Sequence, residues 1–206
     1  MIIKSYILEN DPKKTLNIKS ILFYGVNIGL KKHFKNIFKK NNKKSLIKNF
    51  SQEELIKSKN ILYDEIDNPS LFSEDKLIFI EGATDKVFTY LEPIIDKLKN
   101  NKIIVFADPL DKRSKLRSYY EKSKTAIAVA CYEDNEITIK KIITNELKDF
   151  TGLSGENINL IIDNCGVDRI KLENELSKIK TYFNNKSIEK NKLEDLLNLK
   201  SNDDFD

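Results

Sequence analysis

The sequence predicts an α/β domain built on a mostly parallel sheet, followed by a small all-helical domain. Three observations carry this. Short continuous apolar, β-branched runs recur along the first two thirds of the chain, as strands covered on both faces require. Amphipathic helical stretches lie between them, which is the alternation of a parallel sheet. Beyond the acidic run Glu133-Asp134-Asn135-Glu136 the strand signals stop and only helical periodicity remains.

The runs expected as strands are Met1 to Leu8, Ser20 to Tyr24, Lys76 to Ile80, Lys102 to Ala107 and Thr125 to Cys131. After Gly29, residues Leu30, Phe34, Ile37 and Phe38 fall at i, i+4, i+7 and i+8, one apolar helical stripe with lysines on the other faces. KKNNKKSLIKN reads as a solvated loop. The stretch SQEELIKSKNILYDEI opens on Ser51 followed by Glu53 and Glu54, a helix-start signature, and carries Leu55, Ile61, Leu62 and Ile66 at helical intervals. Residues 86–99 and 113–122 read as further helices. Four more helical segments follow: ITIKKIITNELKDF, SGENINLIIDNCG, DRIKLENELSKIKTYF and SIEKNKLEDLLN. Thr151-Gly152 and Gly166 punctuate the first three, the latter placed as a C-terminal cap. The expected domains are 1–136 and 137–206.

Composition narrows the function classes. The chain has 206 residues, 36 basic against 32 acidic, and a net charge of +4, too mild a surplus to identify a nucleic-acid partner. Lysine dominates over arginine, and Asn and Ile are abundant, as codon bias in an AT-rich genome would produce. Two distant cysteines and one histidine give neither a disulfide framework nor a His/Cys metal site. Charge within MIIKSYILEN interrupts the apolar run that a signal peptide or membrane helix needs, so a cytoplasmic protein without a membrane partner is expected.

ILFYGVNIGLKKHF sits where a phosphate-binding loop would lie, between a buried strand and an amphipathic helix. A working loop reads GxxxxGK[ST], whose backbone N–H groups wrap the phosphates while the lysine reaches them and the hydroxyl holds Mg²⁺. Here Gly25 and Gly29 are one residue too close, Leu30 follows the second glycine, and no hydroxyl is present, so Lys31 and Lys32 do not restore the site. Glu81 stands alone after its strand, and Asp108 meets Pro109 at once, as a turn residue would. His33 has no carboxylate or cysteine beside it and reads as a surface residue. No nucleophile–base pair or metal cluster is recognisable; the expectation is no catalytic residue, no metal and no cofactor.

Leu71 and Phe72 follow Pro69-Ser70 and precede a buried strand, flanked by Asn68, Ser73, Glu74 and Asp75. An apolar pair on a polar ledge is how a protein anchors a partner, although a core role is the alternative.

With these residues in view, the chain resembles the delta subunit of the bacterial DNA polymerase III clamp loader. The matching segments are FYGVNIGLKKHF, SLFSEDKLIFIEG and LDKRSKLRSYYEKSKTAIAVACYE, in that order across nearly the whole chain. The resemblance implies an AAA+-like nucleotide-binding-type domain with a degenerate loop and a helical lid. It also implies a third, collar domain that holds the loader together and is not among these residues. Leu71, Phe72 and Ser70 would contact the sliding clamp, the beta subunit. ATP hydrolysis would be left to other clamp-loader subunits, and DNA would be met indirectly or weakly. The Ser-Arg-Cys sequence of the related delta-prime subunit is missing: Ala130 precedes Cys131 and Asn164 precedes Cys165. Two other readings compete: a DNA-binding module using Lys31, Lys32, Lys35, Lys39 and Lys40, and a P-loop ATPase.

Overall fold

The computed structural model describes residues 1–67 and 75–197. The chain divides into two compact units, Met1–Tyr132 and Glu133–Asp206.

The first unit is a five-stranded, all-parallel sheet of β1 (Ser20–Tyr24), β2 (Leu46–Ser51), β3 (Lys76–Glu81), β4 (Lys102–Ala107) and β5 (Ala126–Ala130), in the order β2-β3-β4-β1-β5. Successive side chains of a strand point to opposite faces, and both faces here are covered. Ile21, Phe23, Phe79, Ile104, Phe106 and Val129 pack with α1 (Ser5–Asn10) and α2 (Ile28–Asn41). Leu22, Tyr24, Ile78, Ile80, Ile103 and Val105 pack with α3 (Gln52–Lys57), α4 (Ile61–Asp67), α5 (Asp85–Ile95) and α6 (Lys115–Lys122). The double burial explains the continuous apolar runs inside β1, β3, β4 and β5, whereas the edge strand β2 is largely exposed. Phe23 anchors the α2 side, stacked on Phe34 at 4.6 Å and on Phe106 at 5.5 Å between ring centroids.

Four expectations change. Met1 to Leu8 is not a strand: Ile2 makes a single bridge to Ala128 and the chain turns into α1, which buries Leu8. A short apolar run serves a helix as well as a strand. The segment read as a solvated loop ends in the first four residues of β2, an edge strand paired with β3, in which Phe50 alone is buried. The stretch from Ser51 is two short helices, separated at Ser58 to Asn60. Its first helix does start with a capping box in which Ser51 accepts from the Glu54 N–H and the Glu54 carboxylate accepts from the Ser51 N–H. His33 is half-buried, its ring edge-on to Phe34.

The second unit is helical: α7 (Glu136–Glu146), α8 (Gly155–Cys165), α9 (Arg169–Tyr182) and α10 (Lys190–Leu196). Asn135, Ser154 and Asp168 cap the first three through side-chain oxygens that accept backbone N–H groups. Gly166, at φ 60°, ends α8 and donates its N–H to the Ile162 carbonyl at 2.7 Å. Ile139, Ile143, Ile161, Leu172, Ile179 and Leu193 fill the core.

Candidate functional site

In an open parallel sheet, ligands bind outside the carboxyl ends of the strands where the connections diverge. Here that place lies between β1 and β4: the chain leaves β1 for α2 on one face and leaves β4 for α6 on the other. A cleft of about 380 Å³ opens there, lined by Ile28, Lys31, Lys32, Lys35, Glu81 and Asp108 among others.

The turn from β1 to α2 is occupied by protein. Gly25 donates its N–H to the Ala107 carbonyl at 3.3 Å, the Cys131 N–H reaches the Tyr24 carbonyl at 2.7 Å, and the Asn27 N–H reaches the Cys131 carbonyl at 3.1 Å. A Cβ at Gly25, whose φ is 135°, would stand 2.2 Å from the Cys131 carbonyl oxygen. Gly25 therefore serves the close crossing of two backbones. Asn27 caps α2, its Oδ1 accepting the Leu30 N–H at 2.8 Å while its Nδ2 donates to the Tyr132 carbonyl at 3.0 Å. Gly29 is buried inside the first turn of α2.

The lysines are distributed unequally. Lys31 is buried, and its ammonium donates to the Ala107 carbonyl at 3.0 Å and to Asp108 Oδ1 at 3.2 Å. It spans the cleft wall from α2 to β4 and does not lie on an exposed basic face. Lys35 pairs with Glu81 at 2.8 Å and lies 5.1 Å above the Phe79 ring. Lys32, Lys39 and Lys40 are exposed. The lysine face expected along α2 thus loses two of its five members to local partners. The same pairs engage four charges of the cleft, Lys31 with Asp108 and Lys35 with Glu81, while Lys32 stays exposed at its edge, and Ile28 and Gly29 open α2 without a hydroxyl.

Ser70, Leu71 and Phe72 lie outside the described residues. The segment that carries them joins α4 to β3.

Sequence reading missed a junction around Asp85. Its carboxylate accepts the Ser114 hydroxyl at 2.6 Å, the Leu116 N–H at 3.0 Å and the Lys115 N–H at 3.1 Å. Burial opposes ionisation of Asp85, but these donors outweigh it and hold its pKa below the ordinary value. Asp85 stands just before the stretch 86–99 read as a helix, and nothing local marks its partners, which lie about thirty residues away.

Among the described residues no helix is long and apolar enough to cross a membrane. No family model matches the sequence, and no curated protein matches it. Among solved structures, the DNA clamp loader delta protein of Bacillus subtilis matches over 96% of this chain, with a TM-score of 0.64 and 16% sequence identity. The chain spans 62% of that protein's length. The likeness shows a shared fold, which in this chain is a five-stranded parallel sheet with helices on both faces, followed by helices.

Proposed function

We propose that the chain is a clamp-loader subunit of the delta type, which binds a ring-shaped sliding clamp and favours its open form without hydrolysing ATP. The observation that carries this reading is the shared fold with a clamp loader delta protein over 96% of the chain. The cleft supports it, since the Lys31 ammonium is held by Ala107 and Asp108 where a nucleotide-hydrolysing site would aim it at phosphate. Leu71 and Phe72, with Ser70 beside them, are the anchors in this proposal, entering an apolar pocket on the clamp. Preferential binding to the sprung ring shifts its population toward opening and requires no chemistry.

The test is binding of the cognate sliding clamp by the protein and by the double variant Leu71→Ala/Phe72→Ala, alongside their melting curves. Anchors of this kind cost about 2 kcal/mol or more each on truncation, so affinity falls by about three orders of magnitude while the fold persists. A folded variant with undiminished affinity removes the pair from the interface. An unfolded variant returns it to the core.

A further inference from the structure

The segment LDKRSKLR, residues 110–117, contains residues with evident structural duties and residues without them. Asp111 makes a turn, its carboxylate accepting the Arg113 N–H at 2.7 Å. Ser114 caps α6, Leu116 is buried, and Arg117 donates to Glu121 at 2.8 Å and to the Leu110 carbonyl at 3.0 Å. Lys112, Arg113 and Lys115 are exposed and enter no ion pair among the described residues. Codon bias accounts for lysines but not for Arg113 in a lysine-dominated chain.

Two of these cations border an open groove of about 480 Å³ between α5 and α6, lined by Phe88, Arg113, Lys115, Ser118, Tyr119, Lys122 and Ser123. Positions 115, 118, 119 and 122 stand at i, i+3, i+4 and i+7, one face of a helix. Lys115 and Lys122 therefore lie about 10 Å apart along the axis, at 1.5 Å per residue. Tyr119 stands between them, its ring 5.3 Å from that of Phe88, and both rings are partly buried against the core beneath the groove. Burial, with Asp96 and Glu92 nearby on the α5 side, raises the Tyr119 pKa, so the ring is neutral. The groove offers cation, hydroxyl and aromatic face, then cation again. That order matches a strand's phosphate, base and phosphate. Protein interfaces are depleted in lysine, which argues against a protein occupant, and a duplex would leave the rings unused because its bases are stacked inside.

We infer that the α5–α6 groove is a binding site for single-stranded nucleic acid, with Arg113, Lys115 and Lys122 on the phosphates and Tyr119 stacking on a base. This is independent of the clamp-anchor proposal and of the lysines of α2. Stacking on an aromatic ring tolerates any base, so binding is insensitive to sequence and strongly dependent on salt.

The test is fluorescence anisotropy of labelled oligo(dT) and of a duplex of equal length, at several salt concentrations. Arg113→Gln/Lys115→Gln should weaken oligo(dT) binding by about ten-fold or more and make the salt dependence shallower. Tyr119→Ala should weaken it by about ten-fold, within the range of one lost base stack, and Tyr119→Phe should retain it. Lys39→Gln/Lys40→Gln on α2 should bind as the parent does. Melting curves verify that each variant is folded. Absence of oligo(dT) binding by the parent overturns the inference. So does duplex preference with Tyr119→Ala without effect, which would mean phosphate contact alone. Loss of clamp binding, with oligo(dT) binding intact, would make the groove a protein contact and overturn it too.

Discussion

Arg169 grips Asp134 through two contacts, Nε to Oδ2 at 2.8 Å and Nη2 to Oδ1 at 2.6 Å, with both side chains about 5% exposed. The pair ties the residues before α7 to the first turn of α9. Removing one partner strands a buried charge, so Arg169→Ala should cost about 3–5 kcal/mol in denaturant unfolding. Asp134→Ala should cost a similar amount. A double variant with well-packed apolar residues at both positions should lose less than the two single changes combined, which a double-mutant cycle measures directly.

Gly25 gives a second expectation. Gly25→Ala places a methyl group within 2.2 Å of the Cys131 carbonyl oxygen at a φ of 135°. Both the clash and the backbone conformation oppose it, so the loss should be roughly 2 kcal/mol or more. A neutral Gly25→Ala variant would show that the β1–α2 turn does not pass against the Cys131 backbone as described.

The Asp85 junction predicts a pH dependence. Its folded pKa is depressed from 3.8, so the folded state holds fewer protons than the unfolded chain in the window just below that value. Its contribution is complete above the unfolded pKa and is lost as pH falls through the folded one. Asp85→Asn should lower the melting temperature at pH 7, by an amount corresponding to about 1 kcal/mol for an exposed capping carboxylate. The gap from the parent should narrow steadily below pH about 4. An unchanged gap at low pH would mean that the charge plays no part.

Lys186 sits at φ 58°, a left-handed conformation, after α9. Its N–H donates to the Phe183 carbonyl and its own carbonyl accepts the Thr151 N–H at 2.8 Å, so the backbone is held there. Lys186→Gly removes the Cβ penalty without disturbing either bond and should raise stability by about 0.5–1 kcal/mol in thermal unfolding. Lys186→Val should do the opposite.

These sites differ in how far the residues alone reveal them. Ser20–Tyr24 and Lys102–Ala107 were legible as strands because burial on both faces demands an uninterrupted apolar run. The helix caps Asn135, Ser154 and Asp168 act on residues two or three positions away, so a local sequence contains their whole chemistry. The edge strand Leu46–Ser51 was missed because an edge needs no such run, and its hydrogen bonds come from β3, thirty residues on. The α1 segment was misread because six apolar residues in the eight from Met1 to Leu8 suit either period.

Residue type and period alone specify which segments are buried, that a helix begins at Ser51, and that the glycine loop lacks the residues phosphate chemistry requires. What the remaining charges do follows from the packed fold. Lys31 looked like one of five equivalent lysines until the fold brought Asp108 to it across 77 positions, and Asp85 finds its donors on another helix. Tyr119 meets Phe88 across the α5–α6 groove in the same way. Burial and local hydrogen bonding are written in residue type and period, whereas an ion pair or a groove wall depends on strand order, and the order β2-β3-β4-β1-β5 is a property of the packed sheet.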